Sequence, residues 1–97
     1  GLRAPMVGHL GDGNFHVLLP YNPEKKETYE KIRKFSDLLI EKTLELEGTI
    51  TGEHGVGLHK KEYLKKEHAD NLPTMKLIKR TMDPNNIMNP GKIFDLN

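Results

Sequence analysis

Apolar and polar residues alternate at the start of the chain, then recur at three- and four-residue steps after residue 20. That change of period separates a hairpin from a largely helical remainder. In the first part, Leu10, Phe15, Val17 and Leu19 share one face and His9 and His16 the other. Asp12-Gly13 between them predicts a two-residue type I′ turn. Counted outwards from that turn, Gly11 faces Asn14, Leu10 faces Phe15 and His9 faces His16. Directly opposed side chains lie about 4.5–5.5 Å apart at Cβ, close enough for two imidazoles to hold one metal ion. A helix would also put residues 9 and 16 on one face, but three glycines in the six residues Gly8–Gly13 exclude it. The strands are expected over Leu2 to Leu10 and Asn14 to Pro20.

Asn22-Pro23 then predicts a helix, with Asn22 as N-cap, Pro23 in first position and Glu24 and Glu27 at the positive end of the dipole. It is expected to run to about Glu47, with Tyr29, Ile32, Phe35, Leu39 and Leu46 as its apolar stripe, flanked by Leu38 and Leu44. Glu27 with Lys31 and Glu30 with Lys34 have the favourable i,i+4 order. Gly48 is expected at the C′ position. Thr49-Ile50-Thr51 reads as a short strand. Lys60 to His68 reads as a basic helical stretch. A last helix begins near Asp70 to Leu72, carries Leu72, Met75, Ile78 and Met82, and closes at Asp83-Pro84. Asn89-Pro90-Gly91-Lys92 turns into a short apolar tail. The order of elements predicts an α+β fold, an antiparallel sheet packed with helices.

Composition narrows the function. Ninety-seven residues make one small domain at most, and an apolar fraction of 35% beside 30% charged is lean for a self-sufficient core. The chain opens without Met, directly in a strand, and is read as part of a longer protein. A net charge of +1 gives no basis for nucleic-acid binding. No apolar run reaches transmembrane length, and no targeting segment is visible. The absence of cysteine confines any metal to His and carboxylate ligands and fits a reducing compartment. The expected location is cytoplasmic, with peripheral membrane association or mitochondria as alternatives.

His9, His16 and Glu53 make a His-His-carboxylate set. Three protein ligands leave open positions on a divalent ion, the pattern of a catalytic site. His54 follows Glu53 directly, so a substrate could meet a cation and a base together. That combination suits deprotonation of an alcohol next to a carboxylate. The plainer reading is polar surface, which is what most hairpin His pairs are. Asp12 reads as a turn residue, Asn14 as a turn-flanking residue able to point at a ligand, and His59 and His68 as solvated. Gly55-Val56-Gly57 lacks the third glycine of a dinucleotide fingerprint.

Taken together, Gly8 to His16, then Gly52-Glu53-His54-Gly55-Val56-Gly57 with Lys60, then Asp83-Pro84 and Asn89-Pro90-Gly91-Lys92 resemble one known pattern. It is the C-terminal domain of the FAD-linked oxidases, which include D-lactate dehydrogenase, the glycolate oxidase flavoprotein subunit and D-2-hydroxyglutarate dehydrogenase. The resemblance covers nearly the whole chain. It implies a divalent metal, commonly zinc, held by His9, His16 and Glu53. It also implies that His54 is the base taking the hydroxyl proton while hydride passes to the flavin. FAD would be bound mainly by an N-terminal domain absent from these residues. Residues 1–97 would then be the C-terminal portion of a ferredoxin-like substrate domain, lacking a β-α element before Gly1 and inactive alone. Its implied partners are a small 2-hydroxy acid, the FAD-binding domain and an electron acceptor. Edges left open by the missing part could pair two copies. Leu18 stands where the 2-hydroxyglutarate enzymes carry Asn, which favours D-lactate or glycolate. Two rival expectations are a flavin-free metal hydrolase and a non-catalytic interaction module using Lys60 to His68.

Overall fold

The structure is a computed structural model and describes residues 2–97. The chain divides into two units, Gly1–Glu53 and His54–Asn97.

In the first unit, β1 (Met6–His9) and β2 (Asn14–Val17) form an antiparallel pair. The Leu18 N–H donates to the Pro5 carbonyl (2.9 Å) just beyond it. The strands are shorter than the alternation predicts, and their register also departs from it. A type I′ turn needs φ > 0 at both central residues. Here Gly13 has φ 70, while Asp12 is not left-handed. Leu10–Asp12 instead make one 3₁₀ turn, closed by the Gly13 N–H donating to Leu10 O (3.1 Å). The loop is therefore longer. His9 pairs with Asn14, Gly8 with Phe15 and Val7 with His16. A slip of two residues, unlike a slip of one, leaves every side chain on its face. His9 and His16 keep a common face but stand diagonally.

Helix α1 spans Lys26–Glu45. Asn22 does not cap it. Its Oδ1 accepts from the Glu24 N–H (3.0 Å) and its carbonyl from the Lys25 N–H (3.0 Å). That turn holds Pro23 outside the helix, and Lys25 becomes the N-cap residue with no side-chain cap. Thr28, Ile32, Phe35, Leu39 and Thr43 form the half-buried stripe, at steps of three and four. Tyr29 and Leu46 lie off it, exposed by 51% and 72%. Tyr29 meets Tyr21 instead, ring centroids 5.9 Å apart. The Glu27–Lys31 pair forms, at 2.5 Å.

The C-terminus of α1 is a Schellman motif. Glu47 donates to Leu44 O (3.0 Å) and Gly48 to Thr43 O (2.8 Å). The left-handed residue is Glu47 (φ 59), one place before the expected glycine. Gly48 is needed for space: a Cβ there would lie 2.9 Å from Thr43 Cγ2. Thr49 to Thr51 form no strand. Ile50 is nonetheless buried, and with Leu64 it makes up the buried hydrophobic set among the described residues.

The second unit contains α2 (Lys61–Glu67) and α3 (Leu72–Met82), close to their predicted positions. Pro73 sits in the first turn of α3, where its missing N–H costs nothing. Buried Asp83 ends the helix and accepts from the N–H groups of Ile87 (3.0 Å) and Met88 (2.9 Å) as well as from Lys79. The observed elements, one antiparallel hairpin and three helices, are α+β in class. A ferredoxin-like sheet would need strands beyond these two. No helix among the described residues is long and apolar enough to cross a membrane.

Candidate functional site

The site is built on one face of the hairpin. Alternation along β1 and β2 puts Val7, His9, Asn14 and His16 on that face. Of these, Asn14 and His16 are half-buried and His9 is exposed. The segment after α1 approaches the same hairpin at Gly52. A Cβ at Gly52 would lie 3.2 Å from Asn14 Oδ1, and the residue has φ 47, so a side chain there would crowd Asn14 and strain the backbone. This approach places Glu53 beside the imidazole of His16. His16 Nε2 and Glu53 Oε1 are 2.8 Å apart, with about a quarter of the histidine side chain and nearly half of the glutamate side chain accessible.

Two of the expected metal ligands, His16 and Glu53, are thus brought together, and they offer donor atoms within reach of one ion. His9 takes no part in that contact; it sits opposite Asn14 on the same face. His54 is joined to Glu53 by the chain and opens the second unit as an exposed residue. His59 is exposed as expected. His68 is not simply solvated, since its Nε2 lies 3.3 Å from Glu67 Oε1.

The structure adds a feature the sequence suggested only weakly. Asn14 Oδ1 is buried and has no hydrogen-bond donor; among the described residues it is the one buried side-chain polar atom left so. Buried polar atoms are overwhelmingly paired, and an orphan costs about 1–3 kcal/mol. An acceptor kept in that state beside a His-Glu contact suits a cation or a hydroxyl-bearing ligand. Nitrogen and oxygen donors of this kind fit a borderline divalent ion such as zinc. The signal in the sequence was the Gly-Asn step after the turn, which indicates proximity but not an unfilled valence.

Comparison with known proteins gives the chain a family. The family described as FAD linked oxidases, C-terminal domain, matches residues 1–93. The chain belongs to that family, whose members are parts of flavin-linked oxidoreductases. It is 44% identical over 94 residues to the mitochondrial D-lactate dehydrogenase [cytochrome] of Arabidopsis thaliana, covering 96% of this chain and 17% of that protein. It is 44% identical over 88 residues to glycolate oxidase subunit GlcD of Bacillus subtilis, covering 90% of this chain and 19% of the relative. It is 41% identical over 90 residues to a D-2-hydroxyglutarate dehydrogenase of Stutzerimonas stutzeri, again covering 90% and 19%. The chain therefore spans less than a fifth of the length of these curated relatives.

Proposed function

We propose that this chain is the metal- and substrate-binding part of an FAD-dependent D-2-hydroxy acid dehydrogenase. Within the longer protein it would complete a ferredoxin-like substrate domain beside an N-terminal FAD-binding domain. The observation that carries the reading is the His16–Glu53 contact (2.8 Å) next to the orphaned Asn14 oxygen, on the hairpin face that also bears His9.

In this reading His9, His16 and Glu53 hold a divalent ion, and Asn14 Oδ1 accepts from the incoming ligand. When bound, such an ion supplies Lewis acidity that lowers the pKa of a nearby hydroxyl, and FAD supplies the hydride acceptor. His54, next in the chain to Glu53, takes the hydroxyl proton. The carbon loses its hydrogen with the electron pair, and the alcohol becomes a 2-oxo acid. Leu18, about half exposed two residues after His16, offers no polar group to a distal carboxylate. That supports D-lactate or glycolate over a dicarboxylic acid, as do the relatives named for the first two. The relatives named mitochondrial support mitochondria, one of the expected alternatives to the cytoplasm.

The test uses the full-length protein. Chelator dialysis and His16→Ala should each lower kcat on D-lactate or glycolate, and His54→Ala should lower it by about 10²–10⁴-fold, the usual weight of a general base. Undiminished turnover in metal-free protein and in both variants would end the proposal.

A further inference from the structure

The segment after α3 ends in backbone that L-residues rarely adopt. Ile93 has φ 70, and the Phe94 N–H donates across it to Lys92 O (2.8 Å). This is a γ-turn of the strained hand, centred on a β-branched residue. Such a conformation persists only where its surroundings over-determine it. Here the Ile93 N–H donates to Gly57 O (2.8 Å). Lys61, at the start of α2, grips both flanks of the turn: its Nζ donates to Asp95 Oδ1 (2.7 Å) and to Gly91 O (3.3 Å). All of these groups lie within the second unit.

The grip has a consequence for the other end of the unit. Gly57 closes the glycine-rich run that begins beside Glu53-His54, and both Gly55 and Gly57 have positive φ. A run of this composition loses much freedom on ordering and needs outside contacts to stay in one conformation. The hydrogen bond from Ile93 fixes the carbonyl three residues after His54, and Lys60 donating to Val56 O (3.3 Å) fixes the next turn before α2.

We propose that Gly91–Asp95 is a latch on the His54 loop, and that Lys61 and Asp95 are positioning residues acting on His54 through Gly57. The inference rests on the reading of His54 as the proton acceptor. A loosened loop would leave substrate affinity largely intact and misplace the base.

The experiment compares Asp95→Asn and Lys61→Met with Asp95→Glu and Lys61→Arg in the full-length holoenzyme, with His54→Ala in parallel. The first two should speed amide hydrogen exchange over residues 54–60 by about tenfold or more. They should lower kcat on the hydroxy acid roughly tenfold with little change in KM. The two conservative variants should recover both properties. Unchanged exchange over 54–60 overturns the latch whatever the kinetics. Faster exchange with unchanged kcat overturns the positioning role. If His54→Ala itself leaves kcat intact, the reading of His54 falls and the positioning role with it, while exchange still judges the latch.

Discussion

Asn14 carries an acceptor with nothing to accept from, and that makes it the most informative single side chain here. Were the amide merely structural, replacing it by an apolar residue of similar size would cost stability. With its oxygen already unpaired, Asn14→Val should leave thermal stability unchanged or raised, because a desolvated polar atom disappears. The same change should weaken metal or hydroxy-acid binding by about 10–100-fold, the usual loss when a supporting ligand is removed. Thermal unfolding and metal competition, measured on the same protein, check both halves. Gly52 belongs to the same argument. A Cβ there meets Asn14 and takes a strained positive φ, so Gly52→Ala should lower the midpoint of thermal unfolding.

At the scale of elements, two helix ends make separate predictions. In the Schellman motif after α1, Glu47 occupies the left-handed position and Gly48 the crowded one. Glu47→Gly should therefore stabilise by up to about 1 kcal/mol, since glycine adopts positive φ without penalty. Gly48→Ala should destabilise by roughly 1–3 kcal/mol through overpacking on Thr43. Denaturant titration of the two variants distinguishes them by sign. At the end of α3, Asp83 is held below its ordinary carboxyl pKa of 3.8, first by the Lys79 ammonium and then by the N–H groups of Met88 and Ile87, with desolvation acting against them. A carboxyl depressed in the folded state stabilises above its unfolded pKa and loses that contribution as pH falls through the lower folded value. Protection of the Ile87 and Met88 amides, corrected for intrinsic exchange, should accordingly be steady from pH 5 to 7 and decline below about pH 4. In Asp83→Asn the decline should vanish, leaving lower protection throughout.

The whole molecule is understood best as part of a larger one. The chain covers less than a fifth of the relatives reported above. Met82, Ile87, Leu10 and Leu46 are each more than 70% exposed, and burial is confined to Ile50 and Leu64 among the hydrophobic residues described. From the proposal that FAD is held mainly elsewhere in the full-length protein, that protein should purify yellow with stoichiometric flavin. The 97-residue chain alone should carry none, as absorbance near 450 nm would report. A flavin-free full-length protein that hydrolyses esters would instead support the hydrolase reading.

What could be read from the sequence was whatever local chemistry decides. Helix α3 lies where the Leu72, Met75 and Ile78 spacing and Asp83-Pro84 put it, because periodicity and a proline stop act over a few residues. The common face of His9 and His16 was also legible, since alternation sets it and a two-residue slip preserves it. The register itself was not: an Asp-Gly step serves equally in a I′ turn and at the end of a 3₁₀ turn, and the ladder decides between them. Asn22 illustrates the same limit, because its side chain satisfied a nearby turn in preference to the helix. Contacts between residues distant along the chain were not set by any local rule, even where the residue types, as with His16 and Glu53, suggested partners. The approach of Gly52 to Asn14, the Glu53 carboxylate against His16, and Lys61 reaching Asp95 across 34 positions depend on the path of the backbone between them. Local rules chose which residues could serve, and only the folded chain could bring them within a hydrogen bond of one another.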